Sequence, residues 1–206
     1  IMDKFRNKYR IPSARRQQWD YRRAAAYFIT ICTANRVHYF GEIADGKMQL
    51  SETGNIVQNE WLKTFELRTD MNLFMGEFVV MPNHFHAIVG IGENDYNTQC
   101  GAPRGTQCGA QCRDAMHCVS TDTDTDTDTA DKCKNQFGPQ SKNLASIVRG
   151  FKSSVTVAAR KINPAFQWQS RFHDHIIRNG QSFQKISNYI INNPAQWQDD
   201  KFFNAG

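Results

Sequence analysis

The chain has 206 residues, of which 40% are hydrophobic and 12% aromatic, enough for one domain with a sizeable core. No run approaches the ~20 apolar residues that a membrane span needs, and no charged-then-apolar signal peptide opens the sequence. These features exclude a membrane protein, and we expect a cytoplasmic one. The mean hydropathy of -0.61 indicates that part of the chain is not packed.

Positive charge is concentrated at the start of the chain. Residues 1–23 hold eight basic and two acidic side chains, a net charge of +6, whereas the other residues together carry about -1 of the total of +5. A basic arm on a near-neutral body predicts a polyanionic partner, most simply nucleic acid. Tyr9, Trp19 and Tyr21 lie among these charges, and aromatic rings stack on bases. The alternative is a solvated, partly disordered tail.

Hydrophobic patterns predict the elements of the first part of the chain. Residues 26–33 are rich in β-branched and aromatic side chains and predict a strand. Asp45 and Gly46 are a strong hairpin signal between two short strands. Ser51 then caps a helix that is predicted over residues 52–67, with apolar side chains on one stripe.

Two predicted strands follow, over residues 74–81 and 84–91, and the second contains His84 and His86. Positions i and i+2 of a strand point to the same face, so the two imidazoles project together and Phe85 points to the other side. Two imidazoles on a backbone with little freedom make half of a metal site.

Residues 92–141 break the pattern. The sequence of residues 98–102 recurs at 106–110, and Thr alternates with Asp from 121 to 129. A polar, low-complexity insert of this kind is expected to be disordered. The insert holds five of the six cysteines but no Cys-x-x-Cys pair. Repetition within the gene therefore explains these cysteines better than a structural zinc site or disulfides would. These cysteines are Cys100, Cys108, Cys112, Cys118 and Cys133, with His117 beside Cys118.

After the insert the pattern predicts a helix over residues 143–161, a strand region over 166–178, and a last helix that Ser182 caps and Pro194 ends. Without the insert, residues 24–91 and 142–206 read as one β-α-β-β-α-β domain with a terminal helix. The predicted fold class is α+β: a ferredoxin-like, four-stranded antiparallel sheet with helices on one face.

The last helix offers the other half of the site. Phe183, Ile186 and Ile190 form its apolar stripe, while Tyr189 and Asn193 are four residues apart and share another face. The side-chain oxygen of Asn193 is a candidate third metal ligand, with the Tyr189 phenol beside the metal.

These features together resemble the REP-associated tyrosine transposases, which belong to the HUH single-strand endonuclease superfamily. The resemblance covers nearly everything outside residues 92–141. It rests, in chain order, on the segments Tyr-Phe-Ile-Thr-Ile-Cys-Thr at 27–33, Val-Met-Pro-Asn-His-Phe-His at 80–86, Gly-Phe-Lys-Ser at 150–153, Trp-Gln at 168–169, Asp-His-Ile-Ile-Arg at 174–178, and Tyr-Ile with Asn-Pro at 189–194.

The resemblance implies an enzyme that cleaves and rejoins single-stranded DNA near hairpins. Carried over residue by residue, His84, His86 and Asn193 hold a divalent metal, Mg²⁺ or Mn²⁺, which polarises the phosphate. Tyr189 attacks the phosphodiester and forms a 5′-phosphotyrosine, although a tyrosine is a poor nucleophile until it is deprotonated. The implied DNA contacts come from the arm, with further candidates on the 143–161 helix: Arg15, Arg16, Arg22, Arg23, Arg149 and Lys152.

Two other functions remain open at this stage. A domesticated or decayed hairpin-binding protein would bind DNA without cutting it. An RNA-binding module of the same shape predicts aromatic pairs on the central strands, and Phe85 fits that pattern poorly because it points away from the histidines. The oligomeric state is open between a monomer and a homodimer that exchanges the tyrosine helix. His173 and His175 are assigned a structural role.

Overall fold

The computed structural model describes residues 19–98 and 141–203, which form an α+β fold around a four-stranded antiparallel sheet. The strands and helices, in chain order, are β1 (Ala25–Cys32), β2 (Gly41–Ala44), β3 (Lys47–Leu50), α1 (Glu52–Glu66), β4 (Leu73–Met81), β5 (His84–Ile91), α2 (Leu144–Ala159), β6 (His173–Ile177) and α3 (Gly180–Asn192). The sheet order is β4-β5-β1-β6, which is the order of a ferredoxin-like sheet and confirms the predicted fold class.

The pairing of β1 with β5 positions the two histidines at the centre of the sheet. In this antiparallel register Thr30 lies opposite His86, and Cys32 lies opposite His84. Alternation along β5 sends both imidazoles to one face and the Phe85 ring to the other. The site therefore lies on the two middle strands, where the backbone is held by hydrogen bonds on both sides.

Helices α1 and α2 cover the face that Phe85 points to. The Phe85 ring lies 5.1 Å from the Trp61 ring and 5.3 Å from the Phe151 ring, centroid to centroid. All three side chains are almost fully buried, and truncating such an aromatic ring costs about 3–5 kcal/mol. Ser51 caps α1 as predicted, because its hydroxyl oxygen accepts a hydrogen bond from the Gly54 backbone at 3.1 Å. This face is packed core and leaves the other face for the site.

Helix α3 packs across the histidine face through the predicted apolar stripe. Ile190 is buried in one cluster with Ile88 of β5, and Phe183 and Ile186 pack against that cluster. The prediction that Ser182 caps the start of this helix was wrong. The side chain of Asn179 accepts a hydrogen bond from the backbone nitrogen of Ser182 at 2.8 Å, because the helix begins at Gly180.

Beyond α3, a short 3-10 segment, Pro194–Asp199, turns the chain back over the histidine face. The β2–β3 hairpin lies beside this segment. Its predicted turn is confirmed, since Asp45 and Gly46 both adopt positive φ angles, of 51° and 69°. Gly46 lies next to the segment, where a Cβ atom would be in ordinary van der Waals contact, 3.6 Å, with the Cα atom of Ala195.

Other predicted boundaries differ from the structure. Of the strand region 166–178, only β6 is a strand; Phe166 is instead buried in the core. Residues 92–98, which the prediction assigns to the disordered insert, form an ordered turn. In this turn Asn94 and Asn97 both donate side-chain hydrogen bonds to the Gly92 carbonyl, at 2.9 Å.

Residues 99–140 of the predicted insert, which include its five cysteines and His117, lie outside the described residues. Most of the predicted basic arm lies outside them too. In the part of the chain that the structure describes, no helix has the length and apolar character required to cross a membrane.

Candidate metal and nucleophile site

His84 presents one unoccupied acceptor atom to the site. Its ring is fully buried, and its Nδ1 lies 2.9 Å from the side-chain oxygen of Asn83. The amide nitrogen of Asn83 donates to the Phe202 carbonyl at 2.9 Å, which turns the amide oxygen toward His84. Nδ1 of His84 therefore carries the proton, and its Nε2 keeps a lone pair. This buried Nε2 has no hydrogen-bond partner.

His86 is held beside it by two hydroxyl groups. The two imidazole rings lie 4.5 Å apart, and Nδ1 of His86 is 2.9 Å from the Thr30 hydroxyl. Its Nε2 is 3.3 Å from the Tyr189 hydroxyl. The ring of Phe28 stacks on the imidazole with centroids 5.2 Å apart. These contacts fix the orientation of the ring, as partners of metal-ligating histidines do.

Helix α3 brings Tyr189 and Asn193 to the two histidines. Tyr189 is 37% exposed, whereas Asn193 is buried. The amide nitrogen of Asn193 donates to Oδ2 of Asp200 at 3.1 Å. The amide oxygen of Asn193 has no hydrogen-bond partner and is thus a second buried atom with a free lone pair.

Asp200 completes the cluster, and the sequence analysis missed it. Its Oδ2 also accepts a hydrogen bond from the Tyr189 hydroxyl at 3.4 Å. One ligand atom each from Asp200, His84 and His86 lies within 4.8 Å of the other two. The available signal was the carboxylate itself, since a metal pair of histidines is commonly completed by an acidic residue.

The donor set fits a divalent cation. It offers two imidazole nitrogens, one carboxylate and one amide oxygen, and two of these donors are buried without a partner in the protein. Oxygen ligands suit Mg²⁺ and Mn²⁺, and imidazole extends the choice to other first-row metals. His84, His86 and Asp200 are therefore the residues that would hold the ion, and Asn193 stays a predicted further ligand.

Burial sets the protonation states of the site. It lowers the pKa of His86 to about 3 and lowers the pKa of His84 well below its ordinary value. Both imidazoles are therefore neutral at neutral pH, as metal ligands must be. Partial burial, followed by the negative charge of Asp200, raises the pKa of Tyr189 to about 12. Without a metal the phenol keeps its proton.

An open cavity of about 370 Å³ gives access to these groups. Thr30, His86, Tyr189, Asn193 and Asp200 line it. Its further lining includes Phe28, His173, Gln196, Asp199 and Lys201. His173, which was assigned a structural role, thus faces the cavity.

Of the predicted DNA-binding cations, the four that the structure describes lie away from this site. Arg22 and Arg23 precede the first residue of β1, whereas His84 is paired with the last, about 20 Å away along the strand. Lys152 is on α2, on the opposite face of the sheet, and donates to the Gln169 carbonyl at 2.7 Å. Arg149 lies on the same helix. Arg15 and Arg16 are outside the described residues, and the DNA contacts of all six remain predictions.

Two other cations lie nearer to the histidines. The guanidinium carbon of Arg36 is 4.2 Å from the centroid of the Phe202 ring, and the ammonium of Lys201 is 4.8 Å from it. The same ring lies 4.6 Å from the ring of His84. Asn35 and Arg36 both have positive φ angles, so a tight backbone turn directs this arginine toward the site. Their charges suit an anionic substrate.

Comparison with protein families and with curated proteins gives one close relative. No family model matches the chain. An uncharacterized protein of Haemophilus influenzae (strain Rd) is 35% identical over 196 residues, which cover 93% of this chain and 92% of that protein.

Solved structures give the same fold. The structure of a REP-associated tyrosine transposase bound to a REP hairpin matches with a TM-score of 0.54 at 18% identity, covering 93% of this chain and 77% of that one. This likeness confirms, at the level of the fold, the resemblance found in the sequence. A Deinococcus radiodurans R1 protein described as a candidate transposase also matches, at 11% identity over 82% of this chain and 91% of that one, but its TM-score of 0.39 carries no argument.

Proposed function

The chain belongs to one family with the uncharacterized Haemophilus influenzae protein and shares the fold of a REP-associated tyrosine transposase, and we propose that it is a DNA-processing enzyme of the transposase type. In this proposal it cleaves and rejoins single-stranded DNA near hairpins. The observation that carries the proposal is the 3.3 Å approach of the Tyr189 hydroxyl to Nε2 of His86, next to an acidic residue.

In this proposal His84, His86 and Asp200, with Asn193 as the further predicted ligand, would hold a divalent ion, Mg²⁺ or Mn²⁺. When bound, the ion polarises a non-bridging oxygen of the scissile phosphate and offsets its negative charge. This role is supported by the neutral state of the two imidazoles and by the unpartnered donors on His84 and Asn193. It extends the ligand set predicted from the sequence by Asp200.

Tyr189 is the nucleophile of this reaction. Its hydroxyl oxygen forms a bond to phosphorus while the bond from phosphorus to the 3′ oxygen breaks. The products are a 5′-phosphotyrosine and a 3′-hydroxyl, which takes up a proton as the tyrosine loses one. Asp200 keeps the hydroxyl in place through the 3.4 Å hydrogen bond and is a proton acceptor within reach. Since the covalent link conserves the bond energy, rejoining needs no nucleotide cofactor.

The DNA substrate is proposed from two observations of different weight. The matched transposase is bound to a REP hairpin, which is a property of that protein. In this chain, Arg36 and Lys201 place positive charge next to the candidate site, and the basic arm supplies more. The likeness favours a DNA hairpin, and the positive charge favours a polyanion such as DNA.

The test is covalent capture. The purified chain is incubated with Mn²⁺ or Mg²⁺ and an oligonucleotide that has a hairpin and single-stranded flanks. The oligonucleotide is labelled at its 3′ end, because the 5′-phosphotyrosine retains that fragment, and the denatured protein is examined for attached label. We expect an adduct with the native chain and with the control Tyr96→Phe, whose tyrosine is similarly exposed. Tyr189→Phe should give none, and an adduct of undiminished yield in that variant would contradict the proposal.

A second function, hairpin binding without cleavage, has one observation in its favour. The Phe202 ring lies against His84 and its carbonyl accepts the Asn83 hydrogen bond, so the end of the described chain covers the histidine pair. A protein that only binds would show hairpin affinity and no adduct with either metal. The capture experiment therefore separates the two functions.

A further inference from the structure

A second cavity, of about 540 Å³, lies between the β2–β3 hairpin and the segment Pro194–Asp199. We call it the hairpin cleft. The lining residues on which its chemistry depends are His38, Glu42, Asp45, Pro82, Trp197 and Phe203. None of them belongs to the proposed metal and nucleophile site, so the cleft has no role in the function described so far.

The cleft has aromatic walls. The Trp197 ring lies 5.9 Å from the His38 ring and 5.5 Å from the Phe203 ring, with both pairs close to edge-on. Phe203 is 38% exposed and is the accessible ring of the cleft, whereas Trp197 is only 7% exposed and packs behind it. Aromatic side chains presented in this way are platforms on which unpaired nucleobases stack.

The charge of the cleft excludes a phosphate as its occupant. Glu42 and Asp45 are exposed carboxylates on the hairpin, and no lysine or arginine of the described residues lines the cavity. Two negative charges repel a phosphate but accept hydrogen bonds from N–H groups. Carboxylates pair well with the exocyclic amine of a base such as cytosine, whereas thymine presents a carbonyl oxygen there.

The cleft adjoins the proposed reaction site. Pro82, at its base, is two residues before His84 in the turn that leads into β5. Trp197 contributes to the cleft and also contacts His84, with ring centroids 5.9 Å apart. A base held in the cleft would therefore belong to a nucleotide next to a phosphate at the histidines.

We infer that the hairpin cleft binds one unstacked, amine-bearing base of the single strand beside the scissile phosphate. This inference rests on the proposed function, because that function brings a single strand to the site. The exposed ring of Phe203 stacks on the base, and Glu42 and Asp45 accept hydrogen bonds from its amine. The cleft thereby gives the enzyme a base preference at one position, independently of the basic arm.

The experiment measures binding without metal, so that no cleavage is required. Fluorescence anisotropy compares short, labelled single strands of dC, dA and dT with the full chain. We expect dC or dA to bind about ten times more tightly than dT, as one good base contact provides. The double substitution Glu42→Gln with Asp45→Asn should reduce this ratio to about twofold or less.

The control is Glu93→Gln with Asp95→Asn, which removes two exposed carboxylates away from the cleft. Both double variants gain general affinity for DNA, but only the cleft variant should lose the discrimination. Equal binding of all three strands by the native chain, or an unchanged ratio in the cleft variant, overturns the inference.

The same experiments distinguish failure of the proposed cleavage from failure of the cleft inference. If no covalent adduct forms but the discrimination is present and depends on Glu42 and Asp45, the cleft is supported and the cleavage proposal is contradicted. If the adduct forms on Tyr189 while discrimination is absent, the cleavage proposal stands and the cleft inference is overturned. The variant Tyr189→Phe should keep the native ratio, because the tyrosine does not line the cleft.

Discussion

The hydroxyl of Tyr189 lies 3.3 Å from Nε2 of His86, although 103 residues separate the two in the chain. The sheet supplies the histidine, and α3 supplies the tyrosine by packing its apolar stripe across the same face. The two halves meet within one chain, so the arrangement needs no exchange of the helix between subunits. In the proposed reaction, Tyr189 acts beside the histidines of its own chain.

The substitution Asp200→Asn should weaken metal binding and ease ionisation of Tyr189. It removes the negative charge that contributes to the Tyr189 pKa of about 12 and the carboxylate nearest to both histidines. We expect Mn²⁺ affinity, measured by titration calorimetry, to fall about 10- to 100-fold. The Tyr189 pKa, measured from tyrosinate absorbance against a Tyr189→Phe reference, should fall.

Asp199→Asn is the matched control, because Asp199 lines the same cavity and carries the same charge. It should change the Mn²⁺ affinity and the Tyr189 pKa far less than Asp200→Asn does. Equal effects of the two substitutions would mean that Asp200 acts only through general electrostatics, not as a ligand.

The substitution Thr30→Val should loosen the His86 ring. The two side chains have similar shapes, but valine removes the hydroxyl that lies 2.9 Å from Nδ1 of His86. Removing such a partner of a ligating histidine reduces metal affinity about 10- to 100-fold. Thr30→Ser keeps the hydroxyl and should restore most of the affinity. If serine and valine behave alike, Thr30 contributes through packing alone.

The metal-free protein should lose stability in acid because of its buried imidazoles. The pKa of His86 is about 3 when folded, whereas an unfolded histidine titrates near 6.5. As the pH falls below about 6.5, the unfolded chain takes up protons that the folded chain does not, and the free energy of unfolding decreases toward about pH 3. Urea unfolding at several pH values measures this slope.

The variant His86→Gln lacks this titration and should show a shallower slope. His175→Gln, on an exposed position of the edge strand, is the control substitution, because it leaves both buried imidazoles in place. A native protein whose stability is constant between neutral and acidic pH would contradict the buried, neutral state of the histidines.

Local patterns were sufficient to predict the histidine pair and the tyrosine helix. Alternation along β5 determines that His84 and His86 share a face, and helical spacing determines that the stripe ending at Ile190 faces the sheet. Both signals depend only on neighbours in the chain. The order of elements then constrained the fold, because few sheets accommodate it.

Asp200 was not predictable in the same way. It follows a 3-10 segment without hydrophobic periodicity, and only the turn of Pro194–Asp199 returns its carboxylate to the histidines. Arg36 presents the same difficulty, since positive φ angles in a short turn direct it toward Phe202. Contacts that depend on how an irregular segment folds back leave no periodic signal in a sequence.

The most direct test of the account is to locate the covalent link between protein and DNA. After reaction with a hairpin oligonucleotide, the adduct is digested with nuclease and trypsin and sequenced by mass spectrometry. The tryptic peptide of residues 186–201 contains Tyr189 as its single tyrosine. The account predicts a nucleotide attached to Tyr189 in this peptide. A nucleotide attached to any other residue, with Tyr189 unmodified, would contradict it.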